Sequence, residues 1–446
     1  MRHARGFTLI ELLVTTAVMG IIMTMVLGAL IANQRQYVSH ADVADIQSNL
    51  RIASIQLNRA ITRAGYGVDP NFAVETRALE VDGTEVAGGG RDGSGPNGSD
   101  ELVVHFRDPL FSRRIASASS GQITLDGSVT LADGEEIDAG QRLMVVCEDG
   151  SAAAYVTAKD RVEGATTTVN LDPDGPFPFR QQDRLDATAG AFQCLSDAGA
   201  FLTRVERRHF YVALLQDPIH GGGRPALMLS RGLDLDGDGT FDERPSGWPN
   251  VATDTGDAEV IALDVEQLQL AYAINRPNAA LATRYALEAA GPDSDDNWVY
   301  GDDPGVPEEA PPYTTGAWAG AGAPNPLRPP ELGSDATCLP GDTEDPTTCG
   351  YGGMRRYLGH VGNIRSIRFA LGARSPRELQ ELAAGTALQP NPNEPAITLE
   401  NLAGALTPTR HRRQVMRGST SLRNVFQRKH FPPPVDSSGQ LNVAGG

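Results

Sequence analysis

The sequence predicts an α+β protein in which one long N-terminal helix packs on an antiparallel β-sheet head that carries large insertions. One observation behind this prediction is an apolar run from Phe7 to Ile31 that continues as a helical pattern to Ala64. The other is a series of short segments rich in Val, Ile, Leu and Thr, with turn residues between them. A helix over 7–64 would be about 87 Å long, so the predicted shape is a lollipop.

The first half of the predicted helix, residues 7–32, is apolar enough to cross a membrane. From Phe7 to Ile31 it covers about 25 residues, which at about 1.5 Å per residue exceeds a hydrocarbon layer of about 30 Å. Its one ionisable side chain, Glu11, costs about 2.5–3.5 kcal/mol in a bilayer, so we expect it to have a functional role or a partner. Arg2 and Arg5 precede the helix and the acidic bulk of the chain follows it, which predicts a cytoplasmic N-terminus.

The second half, residues 33–64, carries an apolar stripe suited to packing on the head. Its members step by three and four residues: Val43, Ile46, Leu50, Ala53, Leu57, Ala60 and Ala64. The polar flank predicted to face solvent comprises Asp42, Asp45, Gln47, Asn49, Arg51, Asn58 and Arg59. We expect the helix to stop at Gly65, because glycine readily adopts the left-handed conformation of a C-terminal cap.

The head, residues 65–430, is predicted to consist largely of antiparallel strands. These are Leu102–Phe106, Gln122–Leu131, Arg142–Cys147, Ala153–Thr157, Thr166–Leu171, Leu202–Leu215, Pro225–Ser230, Glu259–Ile274 and Asn363–Arg374. A last ordered segment, 410–426, is basic and carries Arg410, Arg412, Arg413, Arg417 and Arg423 with no acid. Either this basic strip docks on an acidic neighbour or it pairs within its own acidic head.

An acidic loop between two predicted strands indicates a calcium site. Its candidate ligands are Asp234, Asp236, Asp238, the backbone carbonyl of Thr240, and Asp242. Asp at alternating positions followed by Gly239 matches the first half of an EF-hand-like loop, in which carboxylates converge on a hard cation. The twelfth position is Pro245, so the usual bidentate Glu is missing. The alternative is an Asp/Gly turn without an ion.

Three segments lack the apolar periodicity of folded elements. Residues 283–353 are acidic and rich in Pro and Gly, which predicts a long exposed insertion, partly disordered. The Gly-rich stretch 87–96 is interpreted as a surface loop, because no phosphate-binding motif follows it. The tail, 431–446, is predicted to be disordered.

Four cysteines, Cys147, Cys194, Cys338 and Cys349, allow three disulfide pairings. Chain order favours Cys147 with Cys194 and Cys338 with Cys349. Neither a C-x-x-C motif nor a metal-ligand spacing of His and Cys is present, so a metal or redox role for the cysteines is not expected.

Composition and motifs argue against two classes of function. The formal net charge of −18 disfavours a general nucleic-acid-binding surface, since affinity for phosphates depends on Lys and Arg. The sequence contains neither a G-x-S-x-G nucleophile elbow nor an H-E-x-x-H zinc motif. His220, which precedes three glycines, is interpreted as a turn residue. We therefore expect no enzymatic activity.

After a short basic leader, residues 1–6, the chain continues with the stretch GFTLIELLV, which begins at Gly6. This stretch resembles the class III signal of type IV prepilins and type II secretion pseudopilins. The resemblance implies that a prepilin peptidase cuts between Gly6 and Phe7 and N-methylates Phe7. In this family the residue matching Glu11 pairs with the N-terminal amine of an adjacent subunit. A carboxylate there would neutralise an ammonium that the helix dipole disfavours.

Three further segments are similar to PilW-type minor pilins: Arg63–Tyr66, Ile364–Arg368 and Ser421–Asn424. The resemblance implies a minor pilin in the priming complex at the tip of a type IV pilus, with other minor pilins and the major pilin as partners. It also implies an inner-membrane anchor with a periplasmic head before assembly. The alternatives are a J-type minor pseudopilin of type II secretion and a calcium-dependent adhesin at the pilus tip.

Overall fold

We analysed a computed structural model of the 446-residue chain. The structure describes residues 9–69, 73–75, 78–79, 85–86, 99–127, 131, 135–164, 168–175, 179, 181–188, 190, 192–196, 199–217, 222–233, 258–274, 298–299, 364–376, 411 and 413–426. It confirms the predicted class, since one long N-terminal helix is joined to antiparallel sheets.

The described elements are one α-helix, fifteen strands and three short 3₁₀ helices. The helix, α1, runs over Leu9–Arg63. The strands are β1 Val74–Glu75, β2 Ala78–Leu79, β3 Glu85–Val86, β4 Leu102–Ala118, β5 Gln122–Leu125, β6 Arg142–Val146, β7 Ala153–Thr157, β8 Thr168–Asn170, β9 Phe201–Asp217, β10 Gly222–Ser230, β11 Ala258–Leu263, β12 Val265–Ile274, β13 Trp298–Val299, β14 Ile364–Arg374 and β15 Arg413–Ser421. The 3₁₀ helices are Gln182–Asp186, Gln193–Leu195 and Arg423–Phe426.

The second half of α1 packs into the head through the predicted stripe. Ile46, Leu50, Ala53, Leu57, Ala60, Ile61 and Ala64 are buried there in one cluster with residues of β4, β9, β10, β12 and β14. Val43 is only half-buried, and Ile61, which the sequence pattern missed, is fully buried. The helix ends where expected, and Gly65 has φ +76°. This cluster and the elements around it are called the α1 core below.

Two sheets meet at a corner in the α1 core, where a single strand, Glu259–Ile274, was predicted. Asp264, at φ 62°, divides that segment into β11, in a nine-stranded sheet, and β12, in a four-stranded sheet of order β13-β12-β14-β15. The Asp264 carboxylate accepts hydrogen bonds from Arg224 Nε at 2.8 Å and Nη2 at 2.7 Å. Its N–H donates to Pro225 O, and its carbonyl accepts from Arg374 N–H. The corner residue thus ties β10 to β14.

Six strands close into a ring, to which β4 and β9 contribute the parts that lie outside the α1 core. β4 pairs with β5 and β9, β5 with β8, and β6 with β7 and β9. The Ala158–Leu171 bridge joins the end of β7 to the end of β8, so the ring runs β9-β4-β5-β8-β7-β6. We call this ring with its connecting segments, the described residues between 108 and 204, the barrel.

The barrel has a hydrophobic core of its own. Its members come from all six strands and from the two 3₁₀ helices of this region, and include Phe111, Ile123, Val145, Leu185 and Leu202, but no residue of α1. A disulfide joins Cys147, at the end of β6, to Cys194, in the second of these helices. This is the pairing that chain order favoured.

β4 is the strand whose extent differs most from the prediction. It was expected to end at Phe106, but it continues to Ala118. A bulge between Arg107 and Ser112 accommodates these residues, and the Leu110 N–H donates to Asp108 Oδ1 at 2.9 Å. Elsewhere β5 ends at Leu125 rather than Leu131, and β8 spans only Thr168–Asn170.

Within the predicted exposed insertion, 283–353, the structure describes only β13. Its residues Trp298 and Val299 pair antiparallel with Ala273 and Tyr272 of β12. This part of the insertion therefore forms the edge of a sheet instead of a solvated spacer. The rest of the insertion, the Gly-rich stretch 87–96 and the tail 431–446 lie outside the described residues.

Candidate assembly surface

The first half of α1 is apolar and makes no packing contact that buries it. Every residue from Leu9 to Gln34 is exposed. Its large apolar side chains are Leu9, Ile10, Leu12, Leu13, Val14, Val18, Met19, Ile21, Ile22, Met23, Met25, Val26, Leu27, Leu30 and Ile31. Among the described residues, α1 is the one helix long and apolar enough to cross a membrane. An exposed apolar surface of this size requires lipid or other apolar helices around it.

Polar side chains in this half are satisfied in ways compatible with lipid. The hydroxyl of Thr15 donates to Glu11 O at 2.8 Å, and that of Thr16 to Leu13 O at 3.0 Å. Thr24 donates likewise to Ile21 O at 2.8 Å. Because these hydroxyls bond to carbonyls of their own helix, they carry no unsatisfied donor into a bilayer. Glu11 is therefore the single carboxylate on the otherwise neutral surface of the first half of α1.

The predicted cleavage site, Gly6 and Phe7, lies outside the described residues. Glu11 itself is in the first turn of α1, where the N-terminal end of the helix dipole favours a negative charge.

The three segments similar to PilW-type minor pilins come together around the end of α1. Ile364 and Ile367 of β14 and Leu422 share the buried cluster of the α1 core. Asn424 Nδ2 donates to Thr62 O at 2.9 Å, and the Thr420 hydroxyl donates to Asn58 Oδ1. The contact of Asn58 corrects the prediction that it faces solvent, because a strand more than 350 residues later in the chain covers that side of the helix.

The basic strip is divided between the interior and the surface. Arg413 lies in a buried ion pair with Glu266, with Nε 2.5 Å from Oε1. This member therefore pairs within its own head, the second of the two alternatives from sequence. Arg417 and Arg423 are exposed. Arg410 and Arg412 lie outside the described residues.

The head leaves one face of the second half of α1 uncovered. Ile52 and Ile55 are 43% and 42% exposed on this face. Asp45 is exposed two turns before Ile52, and Arg59 is exposed one turn after Ile55. An apolar centre between charged ends is suited to contact another helix, because the centre gains from burial while the charges stay at the edge.

Charged groups crowd the boundary between the α1 core and the barrel. The pKa of Arg208 is lowered by burial and, against the pull of Glu206, by the nearby guanidinium groups of Arg231 and Arg63. Burial also raises the pKa of Asp138, although the Arg161 side chain, 3.5 Å away, opposes this shift. For both groups, the charged form is therefore less favourable than it would be on an open surface.

The predicted calcium ligands, Asp234, Asp236, Asp238, Thr240 and Asp242, lie outside the described residues, so calcium binding stays a prediction. Cys338 and Cys349 lie outside them as well. In the part of the chain that is described, no group of three or more His, Cys, Asp or Glu side chains is placed to hold a metal ion.

Several contacts that build this surface had no local signal in the sequence. The Arg224–Asp264 pair and the Asn58–Thr420 bond join residues that are distant in the chain. Asp264 has a weak signal, since Asp tolerates a positive φ better than most residues, but it stands inside a run typical of a continuous strand.

The comparisons with known proteins identify the N-terminus only. Residues 1–27 match the family model for the prokaryotic N-terminal methylation motif. No curated protein and no solved structure matches the chain. The motif supports a type IV pilin-like prepilin, and it implies processing by prepilin peptidase and assembly with other pilins. Type IV pilin-like proteins are structural and not enzymatic. The apolar helix α1, which begins within the matched residues, fits a membrane-anchored pilin.

Proposed function

We propose that this protein is a minor pilin of a type IV pilus, which acts in the priming complex that becomes the pilus tip. The observation that carries the proposal is the methylation motif joined to a helix with two different halves. The first half, which overlaps the motif, is exposed and apolar, and the second half forms the centre of the α1 core. Such a helix holds the head on the periplasmic side of the inner membrane until the chain is extracted into a filament.

The position of the barrel favours the tip over the shaft. β4 follows the end of α1, where Gly65 N–H donates to His105 O and Arg107 N–H donates to Tyr66 O. β4 then continues to Ala118, about 35 Å further at about 3.3 Å per residue. The barrel is thus joined to the head near the end of α1 that is distant from the membrane-spanning half, and its core contains no residue of α1. A large unit added at this end of the head is compatible with a tip subunit, because a tip subunit has no further subunit beyond it.

Glu11 sets the axial register in this proposal. After cleavage, its carboxylate would pair with the methylated amine of Phe7 on the adjacent subunit. Ion pairing in a low-dielectric helix bundle is strong, so a subunit without the carboxylate loses its register signal. The uncovered face around Ile52 and Ile55 supports the same bundle further along the helix.

The first experiment is mass spectrometry of the mature N-terminus in cells with and without prepilin peptidase. We expect a peptide that begins at N-methylated Phe7 only when the peptidase is present. A chain that begins at Met1 in both strains would refute the assignment to the pilin pathway.

The second experiment separates assembly from folding. We expect Glu11→Ala to leave the head folded but to abolish incorporation into pili, with Glu163→Ala on the exposed surface of the barrel as the control. Normal pilus number and normal copurification with other pilins in the Glu11→Ala strain would rule out the pairing mechanism.

The third experiment tests the tip position and distinguishes the alternatives. We expect gold-labelled antibodies raised against the barrel to decorate one end of purified pili. Label along the whole shaft would contradict a tip role. Loss of protein secretion with normal pili in a deletion strain would favour the J-type pseudopilin of type II secretion. Normal pilus number with lost attachment to cells would favour the tip adhesin.

We also propose that the loop with Asp234, Asp236, Asp238, Thr240 and Asp242 binds calcium. Adjacent carboxylates repel one another unless a cation compensates them, so the metal would stabilise the head. We expect calcium to raise the melting temperature of the wild-type chain and to have no effect on Asp236→Ala. Identical melting temperatures with calcium and with a chelator would refute calcium binding by this loop.

A further inference from the structure

Arg107, on β4 at the boundary between the α1 core and the barrel, is buried without an anionic partner. Its exposure is 7%, and its Nη1 is inaccessible to solvent and has no hydrogen-bond partner. None of the ion pairs among the described residues includes it. A guanidinium taken out of water without a carboxylate or a carbonyl acceptor is energetically unfavourable.

Three other arginines with little exposure each have at least one acceptor for the guanidinium group, although Arg142 Nε lacks one. Arg142 Nη1 donates to Gly232 O at 2.8 Å. Arg413 pairs with Glu266, and Arg204 Nη2 lies 2.6 Å from Asp108 Oδ2. Arg107 differs from these three arginines because its Nη1 has no acceptor and no ion pair of the described residues includes its guanidinium.

The side chain of Arg107 is held in one place by the turn that follows α1. Its guanidinium carbon lies 5.7 Å from the centre of the Tyr66 ring. Gly67, at φ +66°, leaves the space that the side chain occupies: a Cβ there would lie 2.8 Å from Arg107 Cβ and 3.0 Å from Nε. Both the positive φ and the close approach require glycine. The arginine is therefore preorganised.

The surroundings of Arg107 on the same face of the sheet are basic or apolar. It stands opposite Val205, and the neighbouring register pair is His105 with Arg207. Both of these side chains are buried. Cross-strand neighbours on one face lie close enough for their charges to interact, and no carboxylate stands at these nearest register positions.

We propose that Arg107 is the central residue of an oxyanion-binding site that takes a single carboxylate or phosphate group beside Tyr66 and Gly67. A guanidinium offers two parallel N–H donors that match the geometry of these groups, and the Tyr66 ring and the Gly67 backbone form the walls. The anion compensates the buried charge. The site is distinct from the N-terminal assembly region and does not depend on it.

The test is thermal unfolding of the full chain in detergent micelles, with inorganic phosphate or a short glutamate peptide as probe and chloride at equal ionic strength as reference. A ligand that binds the folded state raises its melting temperature. We expect such a rise for the wild-type chain and for Arg114→Met, an exposed arginine paired with Glu148. We expect none for Arg107→Met, which keeps the length of the side chain but removes the charge.

In chloride alone, Arg107→Met should melt about 2–4 °C higher than the wild type, because a buried uncompensated charge is removed. Arg107→Lys, which keeps the charge but loses the paired donors, should show a weaker ligand response if Arg107→Met fails to fold. A response to phosphate would identify a free anion as the ligand, and a response to the peptide alone would identify an acidic side chain of a partner.

No response to either probe, or an equal response in Arg107→Met, would overturn the proposal. A lower melting temperature of Arg107→Met with an unchanged ligand response would assign the arginine to packing alone and would overturn it as well.

Discussion

The α1 core and the barrel bury their apolar residues by opposite means. In the α1 core, a helix covers one face of the sheet, and its stripe from Ile46 to Ala64 forms the centre of the cluster. In the barrel, the sheet closes on itself, so Ile123, Val145 and Leu202 are buried together in one cluster inside the ring. One unit depends on the membrane-anchored helix and the other does not.

This difference explains why a barrel can be carried on the head of an anchored protein. Closure removes the open edges that an inserted sheet would otherwise expose. It also confines the effects of substitutions, because residues in separate clusters share few contacts. The predictions below test whether the two units are as independent as their cores, from the largest expected effect to the smallest.

The largest effect is expected from Leu57→Ala in α1. Leu57 is completely buried in the α1 core, so its truncation should lower the free energy of unfolding by about 2–5 kcal/mol. Thermal unfolding in detergent measures this, and hydrogen exchange should rise in β14 and β15 but not in the barrel. Leu13→Ala, in the exposed half of the same helix, is the control and should leave the head unchanged. Faster exchange throughout the barrel would contradict independence.

A second prediction concerns the barrel alone. Replacing Cys147 and Cys194 together by Ala removes a disulfide between residues 47 apart and should destabilise the barrel by about 2–4 kcal/mol. Hydrogen exchange should rise in β6 and around Gln193–Leu195, while β14 stays protected. An equal loss of protection in β14 would mean that the two units unfold together.

A third prediction concerns the corner between the two sheets. Asp264→Ala loses both bonds to Arg224 and places Ala at a positive φ, so a loss of about 2–3 kcal/mol in unfolding free energy is expected. Asp264→Asn, which tolerates this backbone conformation and keeps an acceptor, should lose about 1 kcal/mol. Denaturant unfolding of both variants measures the difference. Equal losses would show that the ion pair alone holds the corner.

The smallest effect is expected at the boundary between the units, from Asp138→Asn. Because burial raises the folded-state pKa of Asp138, its stabilising contribution is fully present below its ordinary pKa and is lost as the pH rises through the raised value. At pH 7 the variant should therefore be more stable than the wild type, by less than about 1 kcal/mol. The gain should shrink as the pH falls towards about 4. If the gain in stability did not vary with pH, it would come from packing and not from the loss of the charge.

Some of the candidate site could be predicted from the sequence because its signals are local. The methylation motif, the lone Glu11 and the exposed apolar run are each visible in consecutive residues, and residues 1–27 match the motif's family model. Arg107 has no such signal. What distinguishes it is the absence of a partner, which is a property of its surroundings in space and not of its neighbours in the chain.

The sequence by itself determined α1, its stripe and its end at Gly65, together with the class of fold. These follow from a 3.6-residue period and from the left-handed conformation of one glycine, which neighbouring residues specify. Only the tertiary structure decided that Ala158 meets Leu171 to close the barrel and that Asp264 turns one predicted strand into two. The physical reason is that strands pair through backbone groups that every residue carries. The choice of partner strand therefore depends on which arrangement buries the most apolar surface, and that is settled over the whole chain.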